Sequence, residues 1–197
     1  MARTKGFDPD AVLDLAVEVF RERGYAATSV DDLLARLKIK RQSLYDTFGD
    51  KHALFLAALE RYDRRLGEEV IAVLEGDEPG LRAIERVFGS VIGARAGGGS
   101  DAWRPGCLMV NTAVELAGRD ARAADRVARS AERTEQAFLA ALERSRARGE
   151  LSARHRDLRP LARYLANSLR GLQVTARMGA DAEELRDVIG VTLAALR

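Results

Sequence analysis

The sequence predicts an all-α protein, and three observations carry that prediction. The chain has 197 residues, of which 47% are apolar and 31% charged, enough to bury a core and too apolar to remain disordered. Ala, Leu, Arg and Glu dominate, which favours helix, while aromatic residues at 6% are too few for a β-sandwich or barrel. Apolar residues recur at helical spacing along most of the chain, and nothing reads as a strand. The expected architecture is a small N-terminal three-helix unit followed by a larger helical domain.

Each helix has its own signals. Asp8 suits the cap of the first, Pro9 suits its first position, and Val12, Leu15, Ala16, Val19 and Phe20 form an apolar stripe ended by Gly24. Thr28 or Ser29 caps a short second helix, with Asp31 and Asp32 in the first turn where the helix dipole favours acids. Val30, Leu33, Leu34 and Leu37 face inward there. Lys38-Ile39-Lys40 is a break. A third short helix runs from Arg41 to Thr47 with Leu44, Tyr45 and Phe48 on its apolar side, and Gly49-Asp50 stops it.

The fourth helix is long. Leu54, Phe55, Ala58, Leu59, Tyr62, Leu66, Val70 and Val73 keep helical spacing to Glu75. A turn at 76–80 precedes a helix from Leu81 to Arg95, and the Gly-rich stretch at 97–100 reads as a loop. Pro105 opens a helix towards Ala117, Asp120 to Arg148 reads as one long helix, Pro160 to Met178 gives the next, and a last one starts at Asp181.

Composition also narrows the chemistry. A single cysteine, Cys107, excludes an intramolecular disulfide framework and any Cys-rich zinc site, and His52 and His155 show no metal-ligand spacing. No metal or cofactor is expected. No Gly-rich phosphate loop or nucleophile–base series is present, so the chain is not expected to be an enzyme. No apolar run approaches the roughly 20 residues of a membrane span, and the N-terminus lacks a signal-peptide core, so a cytoplasmic protein without a membrane partner is expected.

With 32 basic and 30 acidic residues, bulk charge says little about partners, but its distribution says more. Arg36, Lys38, Lys40 and Arg41 cluster with no acidic residue among them. Two short helices separated by a brief break, the second preceded by basic residues, describe a helix-turn-helix, which lays its second helix in the DNA major groove. Arg41 suits a guanine edge and Gln42 an adenine edge. Ser43, Tyr45 and Thr47 can donate to phosphates, and Lys51 can pair with backbone charge. Asp46 would be repelled by phosphate unless it faces a cytosine amino group or pairs with Arg41 or Gln42.

The run from Gly24-Tyr25-Ala26-Ala27-Thr28-Ser29-Val30-Asp31-Asp32-Leu33 through Ser43-Leu44-Tyr45-Asp46-Thr47-Phe48-Gly49-Asp50-Lys51-His52-Ala53-Leu54 resembles the signature of the tetracycline-repressor (TetR) family of bacterial regulators. That resemblance covers about the first sixty residues. It implies a recognition role for Lys40 to Thr47, phosphate roles for Tyr45 and Lys51, and a backbone or capping role for Thr28 and Ser29. Lys38 stands where the family's turn usually carries Gly; it costs roughly 1 kcal/mol if left-handed geometry is kept and adds a positive charge beside the phosphates.

The expected division is a DNA-binding domain at 1–49 and a ligand-binding and dimerisation domain at 50–197. Leu158, Leu161, Ala162, Leu165, Leu169, Leu172 and Ala176, then Leu185, Val188, Ile189, Leu193 and Leu196, make two terminal apolar stripes that serve either the chain's own core or a second copy. The resemblance implies a homodimer on a pseudo-palindromic double-stranded operator and an unidentified small-molecule inducer. Phe88, Trp103, Tyr164, Asn111 and Ser168 are candidate ligand contacts, within a wider set that includes Tyr62, Ile92, Met109, Val110, Phe138, Leu172, Glu115 and Gln173. Cys107, after Pro105-Gly106 and near Arg104, reads either as a small buried apolar residue or as a reactive thiol in the first turn of a helix. The stretch Gly106 to Glu115 is similar to one in TetR-like repressors, some of which respond to electrophiles, oxidants or metal. The expected function is a repressor released by a small-molecule or thiol-reactive signal; an activator of the same fold, or a helical ligand-binding protein without a DNA function, are the alternatives.

Overall fold

A computed structural model describes residues 7–96 and 106–197. The Gly-rich loop expected at 97–100 lies outside the described residues, as do Trp103, Arg104 and Pro105. Helices carry the fold, and no strand occurs among the described residues.

The first helix, α1 (Pro9–Arg23), starts as its sequence signals dictate: Asp8 accepts the Asp10 amide at 3.0 Å and Pro9 occupies the first turn. Its buried face is Val12, Leu13, Ala16, Val17, Val19 and Phe20, whereas Leu15, expected on the stripe, is 38% exposed. Among its neighbours α1 packs against α2 (Val30–Leu37) and α7 (Leu108–Leu116). The third helix, α3 (Arg41–Phe48), is followed by α4 (Lys51–Leu66).

The long helix expected to reach Glu75 does so with an interruption. After Leu66 the chain makes a π-helical turn, Gly67–Ile71, and then a short α5 (Ala72–Glu75). Gly67 lets Arg133 lie against that turn, since a Cβ there would stand 3.1 Å from its guanidinium. The chain continues through α6 (Gly80–Ala96), α7, α8 (Ala121–Ala147), α9 (Arg159–Arg177) and α10 (Ala182–Ala194).

Two compact units emerge, interleaved in sequence. The first takes the chain up to Arg64 together with Leu108–Val127; the second takes Arg65–Cys107 and Ala128–Arg197. In the first, Phe20 meets Phe55 edge-on at 5.1 Å and Tyr25 lies 4.8 Å from Phe55, over fully buried Leu33, Leu44, Leu54 and Leu59. Arg61 of α4 grips Asp14 of α1 with two bonds at 2.9 and 2.8 Å. In the second, Phe88 and Phe138 meet at 6.0 Å in a core shared by Ile84, Leu142, Leu165, Leu172 and Leu185.

Candidate DNA-binding interface

The α2–α3 pair is built by local chemistry. Ser29 caps α2 by accepting the Asp32 amide at 3.0 Å, and Asp32 returns the favour by accepting the Ser29 amide at 2.9 Å. These bonds to Ser29, with Arg23 beside it, hold the Asp32 carboxyl below its ordinary pKa. Lys38 ends α2 in the left-handed region, with φ 54° and ψ 37°, and is the only non-glycine among the described residues with positive φ. Lys40 then adopts an extended backbone and opens α3.

Lys38, Lys40, Arg41, Gln42 and Tyr45 are exposed, with Tyr45 at 43%, while Ser43 and Thr47 are half-buried and Leu44 anchors the helix inside. Arg41 does not pair with Asp46: its guanidinium lies 2.6 Å from the carboxylate of Asp31, at the start of α2. Asp46 stays exposed. Ser29 is exposed, but Thr28 is fully buried and its hydroxyl donates to the Gly24 carbonyl at 2.6 Å. Thr28 is therefore a turn-former, its donor already spent, and not a surface contact. Lys51, half-buried at the start of α4, holds its ammonium 4.3 Å from the centre of the Tyr25 ring.

The turn between α1 and α2 is held by α7. Glu115 accepts the amides of Tyr25 and Ala26 at 2.9 and 2.6 Å, and Asn111 donates to the Arg21 carbonyl at 3.3 Å. Glu115 and Asn111, both candidate polar anchors for a ligand, therefore hold backbone in the first unit instead. Burial raises the Tyr25 pKa, and the carboxylates of Asp50, Asp120 and Glu115 raise it further. Sequence reading missed the anchoring role of Glu115 and the pairing of Asp31, because neither involves a neighbour in the chain.

The remaining candidates are scattered. Phe88, Phe138 and Leu172 are core, Gln173 is buried, Tyr164 is 41% exposed, and Ser168 is half-buried. Cys107 is buried and immediately precedes α7, so the thiol sits ahead of the helix and not in its first turn. Gly106 has φ 70°, and a Cβ on it would stand 2.9 Å from Cδ of Arg177. Two open grooves of about 520 and 470 Å³ occur in the second unit. One is lined by Pro79, Leu81, Arg82, Glu85, Glu150 and Arg197, the other by Ile71, Glu75, Arg129, Glu132, Arg133 and Gln136, so neither uses the apolar candidates. Among the described residues no cluster of three or more His, Cys, Asp or Glu side chains is arranged to hold a metal, and no helix is long and apolar enough to cross a membrane.

A capped helix, a tight turn and a second helix with a basic, exposed face define a helix-turn-helix regulator. Residues 12–58 match the model of bacterial regulatory proteins of the tetR family, and residues 80–191 match that of the tetracyclin repressor-like C-terminal domain. The chain is 38% identical over 197 residues to the uncharacterized HTH-type transcriptional regulator YezE of Bacillus subtilis, covering 100% of both chains. It is 35% identical over 195 residues to the HTH-type transcriptional repressor ComR of Escherichia coli, covering 97% of this chain and 90% of that one. Among solved structures it is similar to a cysteine-substituted TetR family transcriptional regulator CifR complexed with 26-bp double-strand operator DNA, at a TM-score of 0.85, 29% identity and full coverage of both chains. The chain belongs to the TetR family. It is a DNA-binding transcriptional regulator and not an enzyme.

Proposed function

We propose that the protein is a cytoplasmic homodimeric repressor of a pseudo-palindromic operator. The carrying observation is the exposed basic start of α3, delivered by the left-handed turn at Lys38. In this reading Arg41 and Gln42 read bases, while Lys38, Lys40, Ser43, Tyr45, Thr47 and Lys51, with Ser29 at the α2 cap, contact phosphates. The residues up to 49, with Lys51 just beyond them, supply the DNA contacts, and the rest of 50–197 supplies dimerisation and signal reception. The repressor named ComR and the operator complex of CifR support the sign and the partner.

Dimerisation is supported by α9 and α10, which leave Tyr164, Val174, Val188 and Val191 exposed at 41%, 41%, 43% and 72%. Gly171 and Gly190 lie on the same two helices with open space where a Cβ would point. Ala166 and Ala176 are already buried in the chain's own core, so the mating face is narrower than the full stripe. A second copy covering these valines completes the four-helix packing expected of two paired helices per subunit.

The test is enrichment of duplexes from a random pool by the purified, reduced protein, followed by salt titration. An enriched palindromic duplex with strong salt dependence, lost in Arg41→Ala with Lys51→Ala, supports the reading; no enrichment overturns it. The releasing signal is proposed as a small molecule. A thiol-reactive signal is the second reading, favoured by the Arg177 side chain that lies against Gly106, the residue before Cys107. Release of the wild type by an electrophile, with Cys107→Ala retained on DNA, selects the thiol; binding that ignores the reagent assigns Cys107 to the core.

A further inference from the structure

Glu115 is a carboxylate spent on backbone. Its oxygens accept the amides of Tyr25 and Ala26, residues 90 and 89 positions away in the chain. The approach is close enough that a Cβ on Gly24 would stand 2.8 Å from Oε2, and Gly24 itself has φ 80°. One turn earlier on α7, Asn111 donates to the Arg21 carbonyl in the last turn of α1. Thus α7 supplies an acceptor to the donors that follow α1 and a donor to a carbonyl near its end. The turn so held runs directly into buried Thr28, bonded back to Gly24, and then into Ser29, the cap of α2. The position of this turn therefore sets where α2 begins.

We propose that Glu115 is a positioning residue for operator selectivity: by holding the Tyr25 and Ala26 amides it fixes the start of α2, and with it the α2–α3 pair, for base reading. This rests on the DNA contacts proposed for α3. Selectivity is the property at stake, because phosphate contacts act through charge and tolerate small displacements, whereas hydrogen bonds to base edges require fixed geometry. The isosteric amide in Glu115→Gln presents an NH₂ group where a carboxylate oxygen meets a backbone N–H, so at least one of the two bonds is lost. The basic face of α3 is untouched by that change.

The experiment uses the full-length protein as wild type, Glu115→Gln, Asn111→Ala and a control, Val114→Ala, whose side chain is 86% exposed on the same helix. Two quantities are read: hydrogen exchange at the Tyr25 and Ala26 amides, and affinity for the duplex enriched by the wild type against a scrambled duplex of equal length across a salt series. Glu115→Gln is expected to exchange faster at one or both amides and to lose about tenfold on the enriched duplex. Its salt slope and its affinity for the scrambled duplex are expected to stay those of the wild type, as is everything in the control. Asn111→Ala is expected to lose selectivity in the same direction, and carries the test if Glu115→Gln does not fold. Amides that remain protected in Glu115→Gln, or amides that open while selectivity is kept, overturn the proposal. Equal losses on both duplexes overturn it too, since they report destabilisation alone. Failure of the DNA-binding reading appears instead in the wild type, as no enriched duplex, and takes this inference with it.

Discussion

The imidazole Nε2 of His52 lies 2.5 Å from Oδ2 of Asp120, whose other oxygen caps α8 by accepting the amides of Arg122 and Ala123 at 3.0 and 3.1 Å. One side chain thus joins the first turn of α4 to the start of α8 within the first unit. The Ala123 amide, and after it His52, hold the Asp120 carboxyl below its ordinary pKa. A depressed carboxylate contributes stability above its unfolded pKa and loses that contribution as pH falls through the folded value. Asp120→Asn is therefore expected to flatten the acid loss of stability below about pH 4. Asp120→Ala, which removes both the cap and the imidazole's partner, is expected to cost about 1–2 kcal/mol at neutral pH; urea unfolding across pH checks both.

Lys38 holds a backbone conformation that an L side chain adopts at a cost. Lys38→Gly is expected to raise stability by up to about 1 kcal/mol while weakening DNA binding. The loss should fall alike on all sequences, with the salt slope reduced by about 0.9. Thermal unfolding and a salt titration on the same preparation separate the two effects.

Arg41 and Asp31 form an exposed pair, with side chains 52% and 80% accessible. Asp31→Asn is expected to change stability by about 1 kcal/mol or less and to tighten binding to DNA, because the guanidinium is released and a negative charge is removed. Arg41→Ala is expected to cost about 1–3 kcal/mol at one position of the operator. Affinities for a panel of single-base variants of the enriched duplex show whether that loss is confined to one base pair.

Gly80 opens α6 where it crosses α8. A Cβ there would stand 1.8 Å from the Ala141 carbonyl oxygen and 2.6 Å from the Ser145 hydroxyl oxygen. Backbone cannot yield as a flexible side chain does, so Gly80→Ala is expected to destabilise the second unit by about 3 kcal/mol. A lowered denaturant midpoint checks it; wild-type stability would show that the helices separate more easily than their packing suggests.

Asp8, Pro9, Gly24, Ser29 and Asp181 could be read from the sequence because caps and helix ends are settled by a few adjacent residues. The residues alone give only a break at 38–40; the left-handed geometry at Lys38 is suggested by the resemblance, whose turn usually carries Gly there. Leu15 is exposed while Leu13 and Val17 are buried, because helical spacing alone does not fix which side of α1 its neighbours cover. The π turn at Gly67–Ile71 leaves the apolar spacing almost unchanged and so has no sequence signature of its own. Asn111 and Glu115 looked like ligand anchors because two polar residues in an apolar helix need partners, and the pattern does not say whose. Their partners are main-chain groups that only the tertiary fold brings near.

The interleaving of the two units bears on the order in which the protein is made. The unit that contains α2 and α3 also includes Leu108–Val127, so it is complete only once the ribosome has passed residue 127. Until then the nascent α1–α2 turn lacks the carboxylate that accepts its two amides, and residues 65–107 must already have been synthesised as part of the other unit. Long loops of this kind slow closure, since their entropy is lost before the contact is gained. A truncated or prematurely released chain would accordingly carry the basic helix without its scaffold, and the finished DNA-reading head appears only on chains whose body is well under way.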